Sequence, residues 1–72
     1  MKPETIKYFY DSIIYQRQIL NDLHAHKNRA AYKERKAYYD GMLDIIQAVA
    51  HYELPTGENT VADLLGKYGY SI

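Results

Sequence analysis

The sequence predicts an all-α protein: a long antiparallel helical hairpin with a short C-terminal third helix, completed as a homodimeric helical bundle. Three observations predict it. Apolar residues recur at alternating spacings of three and four through two long segments. No Gly or Pro interrupts residues 4–40. And 72 residues bury only about 60% of the surface their unfolded chain exposes, so a domain this small needs disulfides, a metal or self-association to be stable. With no cysteine in the chain, disulfides and thiolate zinc sites are excluded together, and self-association is the help that remains.

The first helix is expected over about residues 4–27. Pro3 suits a first turn, and Glu4 suits the positive end of the helix dipole. Written as a heptad, position a holds Ile6, Ile13, Leu20 and Lys27, and position d holds Phe9, Gln16 and Leu23. The second helix, about 29–53, has the same period in a shifted phase. Its a positions are Arg35, Met42 and Val49, and its d positions are Ala31, Tyr38, Ile45 and Tyr52. The first phase, continued, would place Glu34 and Gly41 on the seam. The phase therefore slips near Asn28, a residue that tolerates a left-handed helix end and also serves as an N-cap. The alternative is one continuous helix of about 50 residues with a skip.

A hairpin turning near Arg29 sets Ile6 against Tyr52, Phe9 against Val49, Ile13 against Ile45, Gln16 against Met42, Leu20 against Tyr38 and Leu23 against Arg35. Apolar residues mostly meet apolar ones. Gln16 is the polar intrusion, of the kind that fixes register at some cost in stability; a shift by one heptad would pair it with Arg35 instead. In this arrangement Arg35 can lay its stem over Leu23 and pair with Asp22.

After Glu53, Leu-Pro-Thr-Gly reads as a helix stop and turn. Thr60-Val-Ala-Asp63 reads as a capping box with Asp in the usual Glu position. It opens a third helix over about 61–66, closed by Gly66, and residues 67–72 form a tail that can pack back as a strap. The stretch Thr60–Tyr70, TVADLLGKYGY, resembles the opening helix and turn of some winged-helix domains. No recognition helix follows, so the resemblance implies no function. In size and construction the chain resembles small accessory proteins of phages and mobile elements.

A second apolar strip lies beside the hairpin seam: Tyr10 and Ile14 on the first helix, Tyr39, Leu43, Ile46 and Ala50 on the second. A two-helix hairpin buries one stripe, so the second must find cover. Val61, Leu64, Leu65 and Tyr68 are too few to cover all of it, and a second copy completes a four-helix bundle through these six residues; the alternative is that the third helix and tail fold tightly over the strip and leave a monomer. Burial of roughly 1.5 kcal/mol for each makes the strip worth several kcal/mol per chain before association costs. Tyr8 and Tyr15 lie away from the seam. Nine tyrosines against one Phe and no Trp suit half-buried and interface positions, because the ring packs while the hydroxyl stays wet.

Formal charge is zero, with nine basic and nine acidic residues, so no global field recruits nucleic acid or membrane. Charge is unevenly placed, however. Residues 24–36 hold Lys27, Arg29, Lys33, Arg35 and Lys36 against the single Glu34, a net of +4. Basic residues interleaved with aromatics can neutralise phosphates and stack on bases, so Lys27, Arg29, Tyr32, Lys33 and Lys36 form a candidate anion or nucleic-acid site. The competing reading is a solvated hairpin tip whose cations complement the dipole of the first helix.

No chemistry is legible. His24 and His26 differ by about 200° around a helix and cannot share a metal; Asp22 and His26, one turn apart, suit a hydrogen bond better than a metal site. Ser12 and Ser71 sit in no nucleophile motif, Asp40 and Asp44 mostly repel, and Gly57, Gly66 and Gly69 form no phosphate loop. A catalytic reading would need a pocket built across an interface around His51 and Tyr52. No cofactor is expected, nor a metal. No apolar run approaches the roughly 18 residues of a membrane span, and MKPETIKYFYDS lacks the apolar core of a signal peptide. The sequence thus implies a cytoplasmic, non-enzymatic interaction module, a homodimer that regulates or inhibits a larger protein. Its rival is an anion binder working through the basic tip.

Overall fold

The computed structural model describes residues Met1–Ile72. It contains three helices and no strands: α1 (Pro3–Ala25), α2 (Arg29–Glu53) and α3 (Val61–Lys67). The molecule measures 40 × 19 × 17 Å. α1 and α2 form an antiparallel hairpin, and α3 packs on α2.

The chain reverses over three residues. The Asn28 N–H donates to the Leu23 carbonyl at 3.0 Å and the Lys27 N–H to the His24 carbonyl at 3.1 Å. This pair of bonds is the Schellman closure of a helix end, which requires a left-handed residue between them. Lys27 supplies it, at φ 56. Asn28 then caps α2, its Oδ1 accepting from the Ala31 N–H at 3.2 Å. Asn28 thus takes the capping role and leaves the strained position to Lys27. The turn centres on Lys27 instead of Arg29, which moves every cross-helix partner by about one helical turn. At the open end, the Met1 ammonium lies 3.7 Å from the Glu53 carboxylate.

α1 buries the face its heptad defines: Ile6, Ile13, Gln16 and Leu20 are buried. α2 does not. Its buried residues are Tyr39, Ile46 and Ala50, while Tyr38, Ile45 and Tyr52, expected on the seam, are exposed. The helix is turned about its axis so that the row 39–46 faces the core, with Met42 and Val49 on one side and Leu43 and Ala50 on the other. The cause is α3. A helix that packs on one neighbour needs a narrow seam, whereas α2 packs on α1 and α3 together and buries a wider arc. Leu64 and Leu65, both buried, join Ile6, Ile13, Leu20, Tyr39, Ile46 and Ala50 in one core.

Gln16 pairs across the hairpin with Arg35, whose Nη1 donates to Oε1 at 3.5 Å, not with Met42. Arg35 also lies over the Tyr38 ring, 5.6 Å from its centroid, and forms no ion pair with Asp22. No buried side-chain nitrogen or oxygen is left without a partner.

α3 is held at both ends. Thr60 accepts from the Asp63 N–H at 3.1 Å, and Asp63 accepts from the Thr60 N–H at 3.1 Å, the reciprocal capping box. The Thr60 hydroxyl also donates to Asp63 at 2.8 Å, and this bond holds the Asp63 carboxyl below its ordinary range. Gln47 on α2 joins the two helices, donating to the Asn59 carbonyl at 2.6 Å and accepting from the Val61 N–H at 3.2 Å. Gly66, expected to close the helix, lies inside it. The closure is a second Schellman pair, Tyr70 N–H to Leu65 carbonyl at 3.0 Å and Gly69 N–H to Gly66 carbonyl at 3.0 Å, with Gly69 at φ 91. Tyr70 then stacks on Tyr10, ring centroids 4.7 Å apart, and carries the tail across to α1.

Candidate interaction surfaces

The strip Tyr10, Ile14, Tyr39, Leu43, Ile46 and Ala50 is not left free for a second chain. Tyr39, Ile46 and Ala50 are buried within the molecule and the other three are half-buried. Leu64 and Leu65 share their core, Tyr70 covers Tyr10, and Arg17 Nε donates to the Tyr39 hydroxyl at 2.9 Å. Four apolar residues and a tail suffice because α2 has turned the strip toward them.

The same rotation opens the opposite face. There α1 and α2 enclose an open cleft of about 630 Å³, lined mainly by hydrophobic side chains. Tyr8, Phe9, Ser12 and Tyr15 line it from α1, and Ala37, Tyr38, Gly41, Met42 and Ile45 from α2, with the buried Gln16 and Ile46 completing the lining. Tyr8 is 69% exposed, Tyr15 61%, Tyr38 59% and Ile45 67%. Four large apolar groups converging at that exposure leave a contiguous unsatisfied surface, unlike scattered exposed leucines. Tyr52, 90% exposed, continues the row seven residues beyond Ile45. Tyr8 and Tyr15 stand out in the sequence as tyrosines off the seam. The α2 wall was hidden, because a heptad reading assigns it to the core.

At the tip a second cleft, of about 390 Å³, is lined by Leu23, His24, Lys27, Asn28, Arg29 and Tyr32. The His24 and Tyr32 rings lie 6.0 Å apart. The structure therefore brings three of the five expected tip residues together, Lys27, Arg29 and Tyr32, and adds His24. Lys33 lies outside the lining. Lys36 is committed to Asp40 at 2.7 Å, and that hydrogen bond raises its pKa above the usual lysine value. Lys27, Arg29 and Lys33 form no ion pair, the chain's bridges being Met1–Glu53, Lys7–Asp11 and Lys36–Asp40.

The remaining polar groups have structural partners. His26 Nδ1 lies 2.7 Å from the Asp22 carbonyl and His51 Nδ1 lies 3.0 Å from Asn59 Nδ2. No group of three or more His, Cys, Asp or Glu side chains is placed to hold a metal ion. No helix is long and apolar enough to cross a membrane. No family model matches the sequence, and neither a curated protein nor a solved structure matches it.

Proposed function

We propose that this chain is a non-enzymatic interaction module whose working surface is the Tyr8–Tyr15/Tyr38–Ile45 cleft, and that a second copy of the chain occupies it to complete a four-helix bundle. The observation that carries the reading is the convergence of those four large, two-thirds-exposed side chains on one open cleft. Burying each gains roughly 1–2 kcal/mol, so a symmetric pair gains on the order of 10 kcal/mol, against an association cost of about 4–15 kcal/mol. The two terms are of similar size, which describes a weak, reversible dimer, and the same surface then suits docking on a larger protein.

The test is sedimentation of the wild type and of Ile45→Glu across a concentration series. Wild type should pass from monomer to dimer, and Ile45→Glu should stay monomeric with its helix content intact. A wild type that stays monomeric to millimolar concentration, or a variant that dimerises as well as the parent, would overturn the reading.

A second reading has its own observation. Lys27 and Arg29 line the tip cleft without a carboxylate partner, beside His24 and Tyr32. This supports binding of an anionic ligand or nucleic acid there. Such binding should weaken with salt and fall when Arg29 and Lys33 are replaced together. Unchanged affinity for a single-stranded oligonucleotide in that double variant would remove the tip from consideration.

A further inference from the structure

The geometry points to an antiparallel, tip-to-base arrangement of the two copies, with the two-fold axis crossing α2 at Gly41. This rests on the cleft being the dimer surface, and it goes further by fixing which parts of the two chains meet.

Three observations carry it. The first is area. A large aromatic side chain carries about 150–250 Å². At their observed exposures, Tyr8, Tyr15, Tyr38, Ile45 and Tyr52 therefore offer on the order of 600 Å² per copy, most of the ~800 Å² per partner of a stable interface. These residues run from the middle of the hairpin, at Tyr15 and Tyr38, to its open end at Tyr52, and a second hairpin laid lengthwise along the cleft covers them together.

The second is charge. The half of the hairpin toward the tip, residues 15–40, carries six Lys and Arg against three Asp and Glu; the remaining residues carry three against six. The molecule is thus polar along its 40 Å axis, about +3 at one end and −3 at the other. A parallel pair sets like ends together, and an antiparallel pair sets each basic tip beside the other copy's acidic base. α2 runs from Arg29 to Glu53 and Gly41 is its central residue, so an axis there brings Arg29 of one copy level with Glu53 of the other. On this reading the unpaired cations of the tip are electrostatic partners of the second copy.

The third is Gly41 itself. Glycine in a helix interior is unfavourable relative to alanine, and here nothing within the chain calls for it: a Cβ at Gly41 would meet no atom within 4 Å. Its place in the cleft between Tyr38 and Ile45 is where the two α2 helices would cross, and an isologous contact brings the residue on the axis against its own copy. A missing side chain there lets the two backbones approach closely.

The experiment is a pulsed electron–electron distance measurement on the full chain with Ala25→Cys spin-labelled, a clean site because the chain has no other cysteine and Ala25 is exposed near the tip. The arrangement predicts a label separation of about 35–40 Å, from the 1.5 Å rise per residue on either side of the axis. Gly41→Leu should raise the dimer dissociation constant at least tenfold while the monomer stays helical. A dimer with labels under about 20 Å apart would overturn the antiparallel arrangement and leave the cleft as the interface. A dimer at the predicted distance that tolerates Gly41→Leu would move the axis off Gly41 and overturn the crossing point. No dimer at any concentration would overturn this inference and the proposed function together, as would nucleic acid retained at the tip of a monomer.

Discussion

Ile45 and Ile46 are neighbours in sequence and opposites in structure. Ile46 is 2% exposed at the centre of the core, packed among residues of all three helices. Ile45 is 67% exposed on the wall of an open cleft. The two faces they represent contain similar residues: tyrosines, isoleucines and a few small side chains. They differ in one respect. α3 and the tail cover the first face, and nothing in the chain covers the second. Composition alone therefore does not separate core from interface in a chain this small; the third element decides which face is which.

Ile46→Ala should cost about 2–5 kcal/mol, the loss of a buried side chain plus the cavity it leaves, read as a fall in denaturation midpoint. Ile45→Ala should change monomer stability by no more than ~0.5 kcal/mol. Equal costs at the two positions would mean that the faces are not distinct.

Next is the joint that holds α3 to α2. Gln47 satisfies the first N–H of α3 and also donates to Asn59. Gln47→Ala should cost about 1–3 kcal/mol, and amide exchange should accelerate in α3 before it does in α1. Uniform acceleration would show that α3 does not open as a separate unit.

The two helix closures sharpen the comparison further, because they share a geometry and differ in residue. Gly69 occupies the left-handed position after α3 at no steric penalty, while Lys27 occupies the equivalent position after α1 against the preference of a residue with a Cβ. Lys27→Gly should stabilise the monomer by roughly 0.5–1 kcal/mol. A destabilised variant would mean that the Lys27 side chain contributes more than its backbone strain costs.

The smallest effect is the pH response of the α3 cap. The Asp63 carboxyl is held below its ordinary 3.8 by the Thr60 hydroxyl and backbone N–H. Its stabilisation is complete above that value and is lost as pH falls through the lower, folded one. Asp63→Asn should flatten the acid response of α3 and lower its stability at neutral pH, where the ionised carboxylate otherwise contributes in full. An unchanged stability at neutral pH would mean that the ionised carboxylate contributes nothing to the cap.

The helices and their ends were largely legible. Pro3, the apolar period, the break near Asn28 and the Thr60–Asp63 box are local signals, written within a few residues of where they act. The face of α1 was legible too, since Ile6, Ile13 and Leu20 admit one seam. The face of α2 was not. Its apolar residues occupy positions a, b, d and e, more than half the wheel, and choosing among them depends on where Leu64 and Leu65 land. For the same reason Leu43, expected in the strip that meets a second copy, packs against the core, and Leu43→Glu should destabilise the fold itself. Gln47 carried no signal, because a glutamine on a polar face does not announce a neighbour fourteen residues away. The sequence places the closing residue of α3 at Gly66 and the structure at Gly69, because two glycines lie within reach and only the chain's reversal selects one.

Amide chemical shifts followed over a hundredfold range of protein concentration test the division of faces most directly. Dimerisation through the cleft predicts concentration-dependent shifts at Tyr8, Ser12, Tyr15, Tyr38, Gly41 and Ile45, with Ala50, Leu64 and Leu65 unmoved. Shifts centred instead on Tyr10, Ile14 and Leu43, or none at any residue, would contradict it.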